Sequence, residues 1–174
     1  MPAGVLDAAE LADLARRGDE RRWTWPVRDL RRLAAVADPD RSGTLRVTAG
    51  FALGADGMPR VRLAIGGELW LTCQRCLEPM AWPVDLDAQL TVAPDDAQAD
   101  RLPDSIDAVA MTPEGLALAA LAEDEVLAAL PLAPTHAGTD GCAAHGSAPA
   151  ASGGPNRPFA GLASLLKHDA TGDD

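Results

Sequence analysis

The chain lacks tyrosine altogether, holds one lysine, Lys167, against fourteen arginines, and has only six aromatic residues: Trp23, Trp25, Phe51, Trp70, Trp82 and Phe159. The lysine shortage is a compositional bias without functional meaning. No window approaches the roughly 18 consecutive apolar residues of a membrane span. The opening MPAGVLDAAELADLARR carries acids early and has no uninterrupted apolar run, so it does not read as a secretory leader. A cytoplasmic chain with reduced thiols is therefore expected. Basic residues are scarce as well, 15 against 26 acids, a formal charge of −11. That balance weighs against non-specific nucleic-acid binding and favours solubility and basic partners. No Gly-rich phosphate loop is present. Neither His136 nor His145 stands at a recognisable spacing from a nucleophile and an orienting acid. Nothing here calls for a small-molecule substrate.

What is present centres on Leu69 to Val84, LWLTCQRCLEPMAWPV. Leu69, Leu71 and Cys73 alternate with Trp70, Thr72 and Gln74. Downstream, Met80, Trp82, Val84, Leu86, Leu90 and Val92 keep the same period of two, the pattern of strands with one buried face. Between them lie Arg75 to Pro79, so the segment predicts an antiparallel hairpin with Cys73 and Cys76 at its bend. A C-x-x-C there supplies half of many structural zinc sites, and it is also the spacing of a thiol redox pair. In a reducing compartment either is commoner than a structural disulfide.

The rest of the chain arranges itself around that hairpin. Asp7 to Arg17 predicts a short amphipathic helix with Leu6, Leu11, Leu14 and Ala15 on one face and Gly18 as its stop. Trp23 to Leu33 is mixed, broken by Pro26, and reads either as a helical turn or as an edge strand. Thr44 to Leu53 alternates as a strand, and Asp56-Gly57 is a hairpin-turn signal. Val61, Leu63 and Ile65 form the next strand, and Gly66-Gly67 reads as a second turn leading into Glu68 to Gln74. A four-strand antiparallel meander over roughly residues 44 to 93 follows, with a short further strand at Ile106 to Met111. From Thr112 as cap and Pro113 as first residue, a helix to Leu130 presents Leu116, Ala120, Leu127 and Leu130 as a stripe. The predicted fold is α+β: an antiparallel sheet of four to five strands, open or barrel-like, with flanking helices. Residues 1–136 make one domain, 137–157 a Gly/Ala/Ser/Pro-rich flexible linker, and 158–168 a short docking helix.

Three separated segments, LTCQRCLEPM, AEDEVLAALPLAPTH with a cysteine six residues on, and NRPFAGLASLLK, together resemble the bacterial YceD family. These are also called large ribosomal RNA subunit accumulation proteins. The opening LDAAELADLARRG and RDLRRL fit the family's weaker N-terminal pattern. The low-complexity stretch Gly146 to Pro155 departs from the more acidic connection expected there. The resemblance implies a part in accumulating large-subunit ribosomal RNA, hence in ribosome assembly, with no enzymatic activity to carry over.

On the residues themselves, Cys73, Cys76 and Cys142 with His136 make a Cys3His set suited to zinc, with His145 as the alternate fourth ligand. The bland reading is a buried strand thiol and a stray one on a loose linker. A redox enzyme using Cys73 and Cys76 needs a helix N-terminus or a cation beside the thiolate; Arg75 is there, but the flanks read as strands. Glu123, Asp124 and Glu125 are either a solvated helix face or a docking patch for a basic partner. Glu123 shares the helix's apolar stripe and needs a partner, with Arg75 a candidate. The partner-facing residues are thus Arg75, Glu123, Asp124, Glu125, Phe159 and Leu162. The partner is a large-subunit ribosomal protein or pre-ribosomal RNA, with Arg16 to Arg32 as the stretch able to touch RNA.

Overall fold

The computed structural model describes residues 4–41, 43–137 and Cys142. The chain divides into two units, Met1–Ala137 and Gly138–Asp174. Of the second only Cys142 is described, so the expected linker, the 158–168 helix, Phe159, Leu162 and His145 lie outside the described residues.

The elements run β1 (Val5–Leu6), α1 (Ala8–Arg17), β2 (Glu20–Pro26), a single 3-10 turn (Val27–Asp29), α2 (Arg31–Val36), β3 (Thr44–Leu53), β4 (Pro59–Thr72), β5 (Pro79–Ala93), α3 (Asp96–Ala99), β6 (Ala108–Ala110), β7 (Leu116–Ala117) and α4 (Leu118–Ala129). Helix α1 is fixed at both ends. The Asp7 carboxylate accepts from Glu10 N at 2.8 Å, Glu10 returns the bond to Asp7 N, and Gly18 closes the helix at φ 68°. Its Leu11, Leu14 and Ala15 are buried in the core, whereas Leu6 reaches the same core from β1.

A five-stranded sheet of order β2-β3-β4-β5-β6 carries the fold, with a two-stranded β1-β7 pair beside it. The sheet is open, with β2 and β6 as its edges, so the barrel-like variant does not form. One face is apolar: Leu45, Val47, Ala49 and Phe51 of β3 and Val61, Leu63, Ile65, Leu69 and Leu71 of β4 are all buried. The edge-strand reading holds for Trp23 to Pro26, which pair with β3, while Val27 onward turns helical. Strand β6 is present but lies parallel to β5, not antiparallel as expected. Its chain arrives through α3, a crossover long enough to reverse direction.

Two expectations fail for physical reasons. Gly66-Gly67 is not a turn: β4 runs unbroken from Pro59 to Thr72, so three long strands replace the expected four. The backbone there passes so close to β3 that a Cβ on Gly67 would lie 2.2 Å from Thr44 O, and Gly67 adopts φ 156°. The buried positions keep their parity through this point, whereas a two-residue turn would have swung Glu68, Trp70 and Thr72 to the core side. Helix α4 starts at Leu118, not Pro113. Gly115 at φ 103° forms a turn in which Thr112 Oγ1 donates to Gly115 O at 2.8 Å, and Leu116-Ala117 then pair with β1. The buried face of α4 is accordingly Leu118, Leu121, Ala122 and Val126, with Leu127 and Leu130 only partly covered.

No helix among the described residues is long and apolar enough to cross a membrane.

Candidate metal centre

The hairpin forms as expected: Leu69 pairs with Trp82 and Leu71 with Met80, up to Thr72 and Pro79 at its end. Six residues close it. Cys73 N donates to Glu78 O at 2.9 Å and Leu77 N to Cys73 O at 2.9 Å. Leu77 stands at φ 63°, the only described non-glycine residue with positive φ, and its side chain is 73% exposed. That left-handed step turns the chain back after Cys76, so both thiols stay on the same side of the bend. It costs about 1 kcal/mol or more for a residue with a Cβ.

Cys73 is fully buried. The Arg75 backbone N–H donates to its sulfur at 3.5 Å. Burial pushes the Cys73 thiol up. The backbone N–H groups of Cys76, Arg75 and His136, with the Cys76 side chain, outweigh that and bring it down to about 5. Three amide dipoles converging on one sulfur favour the thiolate, the form that binds metals and attacks disulfides.

His136 reaches this bend because the chain leaving α4 is held there. Gln74 N donates to Pro134 O at 2.8 Å, a bond between the exposed tip of the bend and a proline two residues before the histidine. His136 Nδ1 then sits 3.5 Å from Cys76 Sγ. Cys142 is buried, and the ligand atoms of Cys73, Cys76, His136 and Cys142 all lie within 4.8 Å of one another. No disulfide joins the three cysteines. Around a tetrahedral zinc, with Zn–S of about 2.3 Å and Zn–N of about 2.0–2.1 Å, sulfur and nitrogen would stand about 3.6 Å apart and two sulfurs about 3.8 Å. The Cys76–His136 separation matches the first figure, and the wider limit needs only a small contraction. Soft thiolates with one imidazole, and no carboxylate, fit zinc and not a hard cation. The four side chains could therefore hold a metal ion.

The three acids singled out on α4 separate. Glu123 is buried, and its Oε1 accepts from the backbone N–H groups of Arg32 at 2.8 Å and Leu33 at 3.2 Å. These are second- and third-position amides of α2, whose own N-cap residue Leu30 makes no side-chain cap. Glu123 thus caps α2 from another helix, a role no local signal announces. Its cationic partner is Arg32, with Nε 3.8 Å from Oε2, and not Arg75. Arg32 also pairs with Asp124 and donates to Ala120 O at 3.0 Å. The Asp124 hydrogen bond, set against a small burial cost, holds the Arg32 guanidinium above its ordinary value. Glu125 is half-buried, and burial, Asp107 and Asp124, in that order, push its carboxyl up. Arg75 is exposed on the bend.

Among known proteins, the model of the family described as Large ribosomal RNA subunit accumulation protein YceD matches residues 61–166. No curated protein and no solved structure matches the chain. The matched span contains β4 from Val61 onward, β5, the cysteine bend and α4.

Proposed function

The chain belongs to the YceD family, and we propose on that ground that it supports accumulation of large-subunit ribosomal RNA by binding, not by catalysis. The observation that carries this reading is the convergence of Cys73, Cys76, His136 and Cys142 at one point. Four protein ligands fill a tetrahedral zinc completely, which is the pattern of a structural site; a catalytic one keeps a position open for water or substrate. The zinc would tie the chain after α4 to the β4–β5 hairpin, with the Gln74–Pro134 bond setting the approach. What it supplies is shape, a fixed surface made from segments distant in sequence, and the partner is a ribosomal protein or pre-ribosomal RNA.

A thiol enzyme is the second reading, and the lowered Cys73 pKa of about 5 favours it. Against it, Cys73 is buried beneath the bend and the flanks of the pair are strands, so the sulfur whose pKa is lowered is inaccessible.

The test is a deletion strain complemented with variants, scored for mature large-subunit RNA. The wild-type gene should restore it and Cys73→Ser/Cys76→Ser should not. Normal large-subunit RNA in the uncomplemented strain would remove the assembly reading. Protein purified without a histidine tag should carry close to one zinc per chain. Finding none, with all three thiols titrating at once, would remove the metal.

A further inference from the structure

The net charge of −11 is not shared evenly, and the sheet turns that unevenness into a spatial one. Residues 1–62 hold eleven arginines against nine acids, whereas 63–174 hold seventeen acids against four basic residues. Because the strands lie in chain order, β2-β3-β4-β5-β6, the arginines of β2, β3 and the start of β4 lie toward one side of the sheet and Asp85 and Asp87 of β5 toward the other. The arginine-bearing strands share a face. Buried and exposed positions alternate, so Arg22 of β2, Arg46 of β3 and Arg62 of β4 project from the side opposite the core, where all three are exposed.

Short residues flank Arg46, and Glu68, opposite Thr44, lines the same hollow as Arg46. Arg46 is registered between Thr24 and Gly66, with Thr44 and Thr48 before and after it on its own strand. No ion pair is found for it among the described residues, whereas Arg22 meets Glu20 and Arg62 meets Asp87 at 2.6 Å. Those two pairs are well exposed, and exposed pairs are worth little and exchange partners readily. Beside Arg62, a hollow of about 410 Å³ is lined by Asp19 and Glu20 as well as by Gly50, Arg60, Arg62 and Gln89. Arg60 Nε is buried without a hydrogen-bond partner among the described residues, while its Nη2 lies 3.6 Å from Asp56 Oδ2. With neighbouring strands about 4.8 Å apart and a rise of about 3.3 Å per residue, Arg22 and Arg46 are separated by about 8 Å at the backbone. Long guanidinium arms can close that spacing onto successive phosphates of one strand.

We infer that this face, through Arg22, Arg46 and Arg62, receives the phosphate backbone of an RNA strand. The inference rests on the assembly reading and chooses between its two partner classes. A basic protein would be repelled from these strands and drawn to the opposite edge, while a polyanion is steered the other way.

The test uses the full zinc-loaded chain and two probes: a labelled 30-nucleotide polyuridine and a transcript of large-subunit ribosomal RNA. Wild type should bind both with salt-dependent affinity. The variant Arg22→Gln/Arg46→Gln/Arg62→Gln should bind on the order of tenfold or more weakly, and its log-affinity against log-salt slope should flatten by about 2. The control Arg101→Gln/Arg157→Gln/Lys167→Gln removes the same charge from outside these strands and should keep both affinity and slope. Circular dichroism checks that each variant folds. Equal weakening in both triple variants, no binding by wild type, or capture of a basic ribosomal protein in place of RNA would overturn the inference. If the face variant also restores large-subunit RNA in the deletion strain, the face is wrong while the assembly reading stands. Normal RNA in the uncomplemented deletion strain removes the assembly reading itself.

Discussion

The cysteine bend and the Glu123–Glu125 run are both short motifs whose partners lie far off in the chain, and they fared differently. At the bend, the ligand atoms of Cys73 and Cys76 lie within 4.8 Å of each other and of those of His136 and Cys142. On α4 the three acids part company: one caps α2, one holds Arg32, and one is half-buried and crowded by like charge. The difference lies in what each chemistry demands. Thiolates at metal-site spacing are satisfied by one small set of arrangements, with few donors able to complete it. A carboxylate is satisfied by any amide, cation or water, so its neighbours in space decide its role.

Removing the convergence should have the largest effect. Cys73→Ser/Cys76→Ser is expected to abolish stoichiometric zinc and to loosen the chain beyond Pro131 before the sheet, read by hydrogen exchange. Structural zinc binding is worth about 10 kcal/mol or more where the apo site is not preformed. Uniform exchange throughout, with the segment after α4 still protected, would break the comparison at the bend.

Next comes the cap. Glu123→Ala strands two α2 amides and should cost about 2 kcal/mol, measured by denaturant unfolding. Glu123→Gln keeps an acceptor and should cost clearly less. Equal losses would mean that charge toward Arg32, and not the cap, is what Glu123 contributes.

A smaller effect of opposite sign is expected at Leu77. Leu77→Gly relieves the left-handed strain while removing a side chain that packs on little, and the entropy of glycine offsets part of the gain. A net stabilisation of roughly 0.5 kcal/mol follows, with zinc stoichiometry unchanged. A lost metal would show that the leucine side chain itself supports the bend.

Glu125 should give the smallest change. Its carboxyl is held above the usual value of 4.5 by burial and by Asp107 and Asp124. A raised folded value favours the protonated form, so its contribution to stability is full below the unfolded value and is lost as pH rises through the folded one. Glu125→Gln should therefore be slightly more stable than wild type at pH 7 and should differ less from it below pH 4.5. Loss of stability at pH 7 would mean that the ionised group has a cationic neighbour.

Much of this fold could be read along the chain because its signals are local. Period-two burial in β3, β4 and β5, the Asp7–Glu10 capping box, Gly18, and the Asp56-Gly57 turn are each set by residues within a few positions of one another. Even the Gly66-Gly67 misreading was avoidable, since Ile65 and Leu69 stay in phase across it. Other outcomes were decided only when distant backbones met. Thr44 O closes on Gly67, and Leu6 O leaves no room for a Cβ at Gly115, so a strand continues where a turn was expected and a helix starts late. Glu123 finds α2 across 90 residues, and Gln74 holds Pro134 so that His136 meets Cys76. The sequence alone determined which residues could serve as ligands, caps and core. The tertiary structure decided which of them met, because a buried donor or carboxylate must be satisfied by whatever packing brings near it.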